Sequence, residues 1–207
     1  PAVGAGSGAP GMAAASGIAC VGVVAALDWE ADVFSATRAG ALELLIETTG
    51  PGAEAAAAGA ERALARGADV LISWGSAGAL GSAEPGEIVI PRGILDTQLQ
   101  RFAADAYLSD ALADALGEVA NMYRADLVSA DSPVATVAAK RQLAEASGAI
   151  AVDMESAAIA GVAACAGVPL GVLRVIVDGQ NHCVPPCAIA GMDGARSRPG
   201  RVLAGLL

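Results

Sequence analysis

The sequence predicts an α/β fold, a single domain built on a mostly parallel central sheet flanked by helices. Strand-like stretches such as Val70-Leu71-Ile72 and residues 170–177 are near-continuous apolar runs, the pattern of strands covered on both faces. Alanine-rich segments of helical length separate them, as in a sheet wound between helices. Two acid-bearing segments, Ala151-Val152-Asp153-Met154-Glu155-Ser156 and Leu173-Arg174-Val175-Ile176-Val177-Asp178, sit at strand exits, where open α/β sheets bind ligands.

Taken in order, residues 1–17 are almost wholly Gly, Ala, Ser and Pro, a composition that buries little, and read as a flexible leader before a domain over 18–207. Gly6-Ser7-Gly8-Ala9-Pro10-Gly11 spells the dinucleotide fingerprint, but no strand precedes it, Pro10 interrupts it and no helix opens from it. Residues 18–26 form a buried first strand, 28–38 a helix and 42–48 a strand. After the Gly50-Pro51-Gly52 turn, 54–66 is a helix with Gly67 in the terminating position. Strands follow at 70–73, 87–90 and 126–129, and helices at 109–120 and 137–147, the second closed by Gly148. Residues 150–152 are a strand, 156–166 a helix closed by Gly167, and 170–177 the last strong strand. No internal repeat or second domain is visible, and residues 200–207 read as a helix cut short.

Composition excludes several classes. The chain has 207 residues, enough for one core without staples, and is 55% hydrophobic. No run free of Gly, Pro and charge approaches the roughly 20 residues of a membrane span, so a soluble, cytoplasmic protein is expected. A net charge of -10 argues against nucleic acid as partner, and Lys140 is the only lysine. Cys20, Cys165, Cys183 and Cys187 are few and irregularly spaced, which favours free thiols in a reducing compartment. His182, Cys183 and Cys187 lack a fourth ligand at zinc spacing, so no metal or other cofactor is expected.

The chemistry-bearing segments begin at the exit of the first strand, Leu27-Asp28-Trp29-Glu30, whose acids also suit a helix N-terminus. In Ser73-Trp74-Gly75-Ser76-Ala77-Gly78-Ala79-Leu80, small residues let the backbone approach a ligand and leave amides and the Ser76 hydroxyl free for a sugar or phosphate oxygen. A further loop, Ser129-Ala130-Asp131-Ser132-Pro133-Val134, follows a strand. Arg174 and Asp178 lie four apart in a strand and therefore on one face, where a structural salt bridge is the simple alternative to a site.

Together these segments resemble the nucleoside phosphorylase and nucleosidase superfamily, and the first two resemble its methylthioadenosine and adenosylhomocysteine nucleosidases. The resemblance implies a nucleoside phosphorylase-like fold and a set of roles. Glu30 matches the carboxylate that activates the attacking water. Ser76 and Gly78 lie in the counterpart of a Gly-Ser-Ala-Gly-Gly-Leu turn whose last glycine is Ala79 here. Val134 falls in the loop for the base, where Pro133 stands in place of the usual aromatic ring. Met154 and Glu155 match the ribose site, the two carboxylate oxygens suiting two adjacent hydroxyls. Asp178 matches the acid that protonates purine N7, with a raised pKa, and Arg174 the partner of the buried acids, near Glu30.

Such a site would protonate the leaving base on one side of an oxocarbenium-like sugar and deliver a nucleophile on the other, as inverting glycosidases do. Phosphorylases of this type carry a glycine-rich loop with an arginine after the first strand. Here Asp28 and Glu30 would repel an anion, so water is the expected nucleophile, with Arg38 or Arg92 the alternative contacts for phosphate. From about Ile18 onward, with Pro185-Pro186 included, the chain is also similar to the hopanoid-associated phosphorylases. That similarity implies adenine release from an adenosylhopane-type, lipid-linked nucleoside. The partner expected is thus a purine nucleoside, and the protein a homo-oligomer. The rival classes are a phosphate-dependent phosphorylase, a silent nucleoside-binding module and a Rossmann oxidoreductase, the last lacking its fingerprint after the first strand.

Overall fold

The computed structural model describes residues 17–34, 42–117 and 121–190, and the backbone of 192–193 and 196–197. All of the expected leader over 1–17 except Gly17, the predicted helix beyond residue 34 with Arg38, and the C-terminal segment 198–207 lie outside the described residues.

Strand β1 (Cys20–Ala25) runs into a single turn of helix, α1 (Asp28–Ala31), and a 3-10 turn, Asp32–Phe34. There follow β2 (Glu43–Thr48), α2 (Ala53–Ala65), β3 (Val70–Ala79), β4 (Ile88–Val89), β5 (Gly93–Leu95), β6 (Arg101–Ala103) and α3 (Ala106–Leu116). The chain continues through β7 (Met122–Tyr123), β8 (Leu127–Ser129), α4 (Val137–Ser147), β9 (Ala151–Asp153), α5 (Ser156–Ala166), β10 (Leu170–Asp178) and α6 (Pro186–Ala190). A small antiparallel pair, β11 (Met192–Asp193) and β12 (Arg196–Ser197), stands apart from the main sheet.

Strand β3 organises the sheet. It pairs with β10 along one edge, while its other edge pairs with β1 from Val70 to Trp74 and then with β9 at Gly78 and Ala79. The pairings β1 with β2, β1 with β3, β3 with β10, β8 with β9, β5 with β8 and β4 with β7 are parallel. Three are antiparallel: β9 on β3, β4 on β10 and β6 on β5. The sheet is therefore mixed, though mostly parallel as expected.

Small residues let the helices lie close. Helix α2 buries Ala56, Gly59, Ala60 and Ala63, and packs on β1 and α5. Where it crosses β1, a Cβ at Gly22 would lie 2.8 Å from that of Ala63, so no side chain fits there. On the opposite face Leu108 of α3 joins Val23, Val70 and Ile72. Both faces of the central strands are thus covered, which accounts for their unbroken apolar sequences.

Several elements depart from the sequence reading. Helix α3 begins at Ala106 rather than Ser109, because Asp105 accepts a hydrogen bond from the Leu108 amide at 2.9 Å and caps it there. It ends before Gly117, whose φ of 54° is in the left-handed region. Strands β5, β6 and β7 are two or three residues long, too short to show a period. The most consequential difference is that β3 continues to Ala79, so the predicted turn after Ser73 is strand.

Candidate active site

A cavity of about 390 Å³ opens at the carboxyl ends of β1, β3, β9 and β10. Glu30, Ser76, Gly78, Val134, Met154, Glu155, Arg174 and Asp178, all singled out from sequence, line it. Topology does this, since the parallel strands β1, β3 and β10 end on the same side of the sheet.

Glu30, in α1, is only 4% exposed. Its Oε2 accepts the amides of Ala26 and Leu27 at 3.2 and 3.0 Å, and its Oε1 accepts the Ser76 amide and hydroxyl at 2.9 and 2.8 Å. The Leu27 bond is the helix-start interaction that the sequence also allowed. The Ser76 bonds are different in kind, because they tie the acid to the middle of β3. Trp74 completes the tie by donating its indole N–H to the Glu30 carbonyl at 3.0 Å, its ring edge-on to Phe34.

The small residues of β3 make room for the protein's own carboxylates. A Cβ at Gly75 would lie 3.0 Å from both Glu30 oxygens, and one at Gly78 would lie 3.1 and 3.2 Å from the Asp178 oxygens. The sequence reading left the Ser76 amide and hydroxyl free for a ligand. In the structure both are bonded to Glu30, because that acid needs donors once it is buried.

Beneath the cavity lies a buried polar network. Arg174, 2% exposed, donates from Nε to Asp153 at 2.9 Å, from Nη2 to the hydroxyls of Ser73 and Ser156 at 2.8 and 3.0 Å, and from Nη1 to the Leu173 carbonyl at 3.2 Å. Asp153 also accepts the Ser129 hydroxyl at 2.5 Å and the Ser156 amide at 3.1 Å. Arg174 thus pairs with Asp153, and none of its hydrogen bonds among the described residues goes to Glu30 or Asp178. The β3–β10 register slips between Ile176 and Asp178, so the four-residue spacing does not by itself put Arg174 and Asp178 on one face.

Glu155 stands at the position preceding α5, yet its side chain does not cap the helix. It turns away to accept the Gly52 amide at 2.9 Å and the Met154 amide at 3.1 Å. Burial pushes its carboxyl up to about 7 and the charge of Asp153 adds to the rise, while Arg174 and the two amides oppose it. A carboxyl raised this far is a feature of Glu155 that its place before a helix does not announce.

Asp178 forms an ion pair with Lys140 of α4, whose side chain is 1% exposed. The same ammonium donates to the carbonyls of Gly179 and His182 at 2.8 and 3.1 Å. Neither Lys140 nor Asp153 was assigned a role from sequence. One signal was available for each: Lys140 is the only lysine and sits among Val137, Ala138, Ala139 and Leu143, and Asp153 follows the apolar Ala151-Val152.

Among the described residues, no group of three His, Cys, Asp or Glu side chains is placed to hold a metal ion. Nor, among them, is any helix long and apolar enough to cross a membrane.

Fold and cleft together define an α/β enzyme of the nucleoside phosphorylase and nucleosidase type. The sequence profile described as the Phosphorylase superfamily matches residues 30–185, a span that holds every lining residue singled out from sequence, and the chain belongs to that family. Its fold is similar to that of the S-adenosylhomocysteine nucleosidase from Streptococcus pyogenes in complex with 5-methylthiotubericidin. That likeness has a TM-score of 0.74 and 23% identity, and covers 81% of this chain and 87% of the other. The 5′-methylthioadenosine/S-adenosylhomocysteine nucleosidase from Neisseria meningitidis, in complex with methylthio-immucillin-A, gives 0.72 and 23% over 78% and 87% of the two chains. The futalosine hydrolase of Helicobacter pylori gives 0.70 and 19% over 79% and 86%. Among curated protein sequences none matches the chain.

Proposed function

We propose that the protein hydrolyses the N-glycosidic bond of a purine nucleoside and releases adenine from an adenosylhopane-type substrate. The observation that carries this reading is the convergence of Glu30, Glu155 and Asp178, distant in sequence, on one cleft with apolar walls. In this reading Asp178 protonates the departing base, Glu155 accepts the ribose hydroxyls, and Glu30 orients and deprotonates water at the anomeric carbon. Ser76, Gly78, Val134 and Met154 shape the sugar and base sites. Arg174 acts from below, as the counter-ion of Asp153.

Two features favour water over phosphate. Among the described residues Arg174 is the only arginine lining the cleft, and its guanidinium is already committed to Asp153, Ser73, Ser156 and Leu173. Arg92 is not among the lining residues, and the acidic Glu30 opposes an anion beside it. For the 5′ side, Trp29, Val177, Val184 and Ile189 give the cleft apolar walls, and Trp29 and Val177 are 47% and 53% exposed. An apolar 5′ substituent would cover them.

The test is incubation with adenosine and with adenosine nucleosides bearing apolar 5′ groups, with and without phosphate, followed by identification of base and sugar. Adenine and a free ribose-type product in phosphate-free buffer are expected, with faster turnover for the apolar 5′ substrates. Strict phosphate dependence with a sugar 1-phosphate product would replace hydrolysis by phosphorolysis, and binding without base release would leave a silent module.

A further inference from the structure

The one lysine of the chain is buried at the edge of the cleft, where an unpaired charge would be costly. Its ammonium spends all three hydrogens, on Asp178 Oδ2 and on the carbonyls of Gly179 and His182. These contacts tie α4 to the exit of β10 and to the loop that follows, and the loop is docked again where the Val184 amide meets the Ala135 carbonyl at 2.8 Å. Asp178 Oδ1 is different, since no donor among the described residues meets it and its carboxyl lines the cleft. The carboxyl is therefore held by one oxygen and presented by the other.

We propose that Lys140 is a positioning residue for the reaction, acting through Asp178 both to aim Oδ1 and to neutralise the carboxylate formed when its proton leaves. The inference rests on the proposed cleavage of a purine nucleoside. As the glycosidic C–N bond breaks, its electron pair passes to the base, the proton on Asp178 moves to the base nitrogen, and Lys140 keeps all of its own. The resulting carboxylate lies against the ammonium of a side chain that is 1% exposed, and a charge-assisted hydrogen bond of this kind is strong. Solvent returns the proton to Asp178 after the base departs. Among the described residues, Glu30 and Glu155 are the other carboxylates that line the cleft with Asp178 and are not paired with Arg174. His182 and Glu84 approach Gly179, and Arg174 on the same strand is engaged with Asp153.

The test uses the full chain with Lys140→Met, Lys140→Arg and Asp178→Asn, each checked for folding by thermal melting. Lys140→Met is expected to lower kcat about 10- to 100-fold, because a hydrogen bond to a charged group is lost. KM should change less than about threefold, since the sugar and base contacts remain. Without the neighbouring ammonium the acid keeps its proton to higher pH, so the basic limb of the kcat/KM profile should move up by about one pH unit or more. Lys140→Arg, which keeps the charge, should leave that limb near its parent position. Adding Lys140→Met to Asp178→Asn should slow the enzyme no further, because the lysine acts only through the acid. An unmoved limb in Lys140→Met, or a double variant slowed by the product of both single effects, would overturn the proposal. If Lys140→Met does not fold, Lys140→Gln carries the same expectations, and failure of both to fold would make the lysine purely structural and equally overturn it. A parent protein that releases no base would refute the proposed function itself, whereas an active parent with an unmoved limb refutes only the role of Lys140.

Discussion

Glu30 and Glu155 invite comparison because their local settings are so alike. Each follows a strand of the same sheet, each stands at the start of a helix, and they are 4% and 9% exposed. Their surroundings differ in what they offer a charge. Glu30 receives four donors, two per oxygen, and so has every acceptor position filled by the protein. Glu155 receives two amides and has Asp153 as a neighbour, which with burial leaves its carboxyl at about 7. Similar backbone positions thus give one acid that is fully solvated by protein and one that is half-starved of donors. A sugar hydroxyl supplies what Glu155 lacks, whereas a water at Glu30 must displace a donor, and the Ser76 hydroxyl is the one that can rotate away.

The largest effect expected tests whether either glutamate shares the work given to Asp178. Asp178→Asn should lower turnover about 100- to 10,000-fold with binding largely kept, the usual range for a general acid. Equal rates for parent and variant, measured with a purine nucleoside, would hand protonation to another group. Next comes Glu30→Gln, which should lower kcat about 100-fold or more. It should also cost about 1–3 kcal/mol of stability, because its amide N–H must face backbone donors. Unchanged kcat and unchanged denaturant midpoint would break the contrast on the Glu30 side.

The same substitution at Glu155 should behave differently with pH. A carboxyl raised from 4.5 to about 7 holds its proton longer in the folded chain, so its contribution to stability is complete below pH 4.5 and is lost as pH rises through about 7. Relative to the parent, Glu155→Gln should therefore gain about 3 kcal/mol between pH 4.5 and pH 8, as read from urea unfolding at the two pH values. A difference that does not change with pH would show that Glu155 titrates normally. The smallest effect on turnover is expected at Ser76→Ala, where loss of one hydrogen bond to Glu30 should cost about 1 kcal/mol of stability but leave kcat within about fivefold of the parent, since that hydroxyl gives way to water in any case. A hundredfold loss would mean that Ser76 itself touches the reacting atoms.

Much of this site was legible because its residues break local patterns. Arg174 stands out inside the strand Leu-Gly-Val-Leu-Arg-Val-Ile-Val, and Glu155 comes just after an apolar strand, so neither needed tertiary information to be noticed. The partners were not legible. Arg174 and Ser73 are 101 residues apart, Glu155 and Gly52 are 103 apart, and no local period links either pair. The second half of β3 resembles a turn in sequence because Gly75, Ser76 and Gly78 are poor strand formers, and only the approach of Glu30 and Asp178 explains them. The antiparallel pairing of β9 on β3 was hidden for a related reason, since it involves two residues at the end of a strand whose earlier part pairs with β1.

In the proposed reaction these two glutamates do separate jobs, one on water and one on the sugar. Calorimetric titration of Glu30→Gln and Glu155→Ala with a purine riboside and its 2′-deoxy analogue tests this division most directly. Glu30→Gln should bind both nucleosides as the parent does, while Glu155→Ala should bind the riboside more weakly and lose the preference for it, because a site built for a hydroxyl penalises its absence. Loss of binding in Glu30→Gln, together with unchanged affinity and sugar preference in Glu155→Ala, would contradict the assignment.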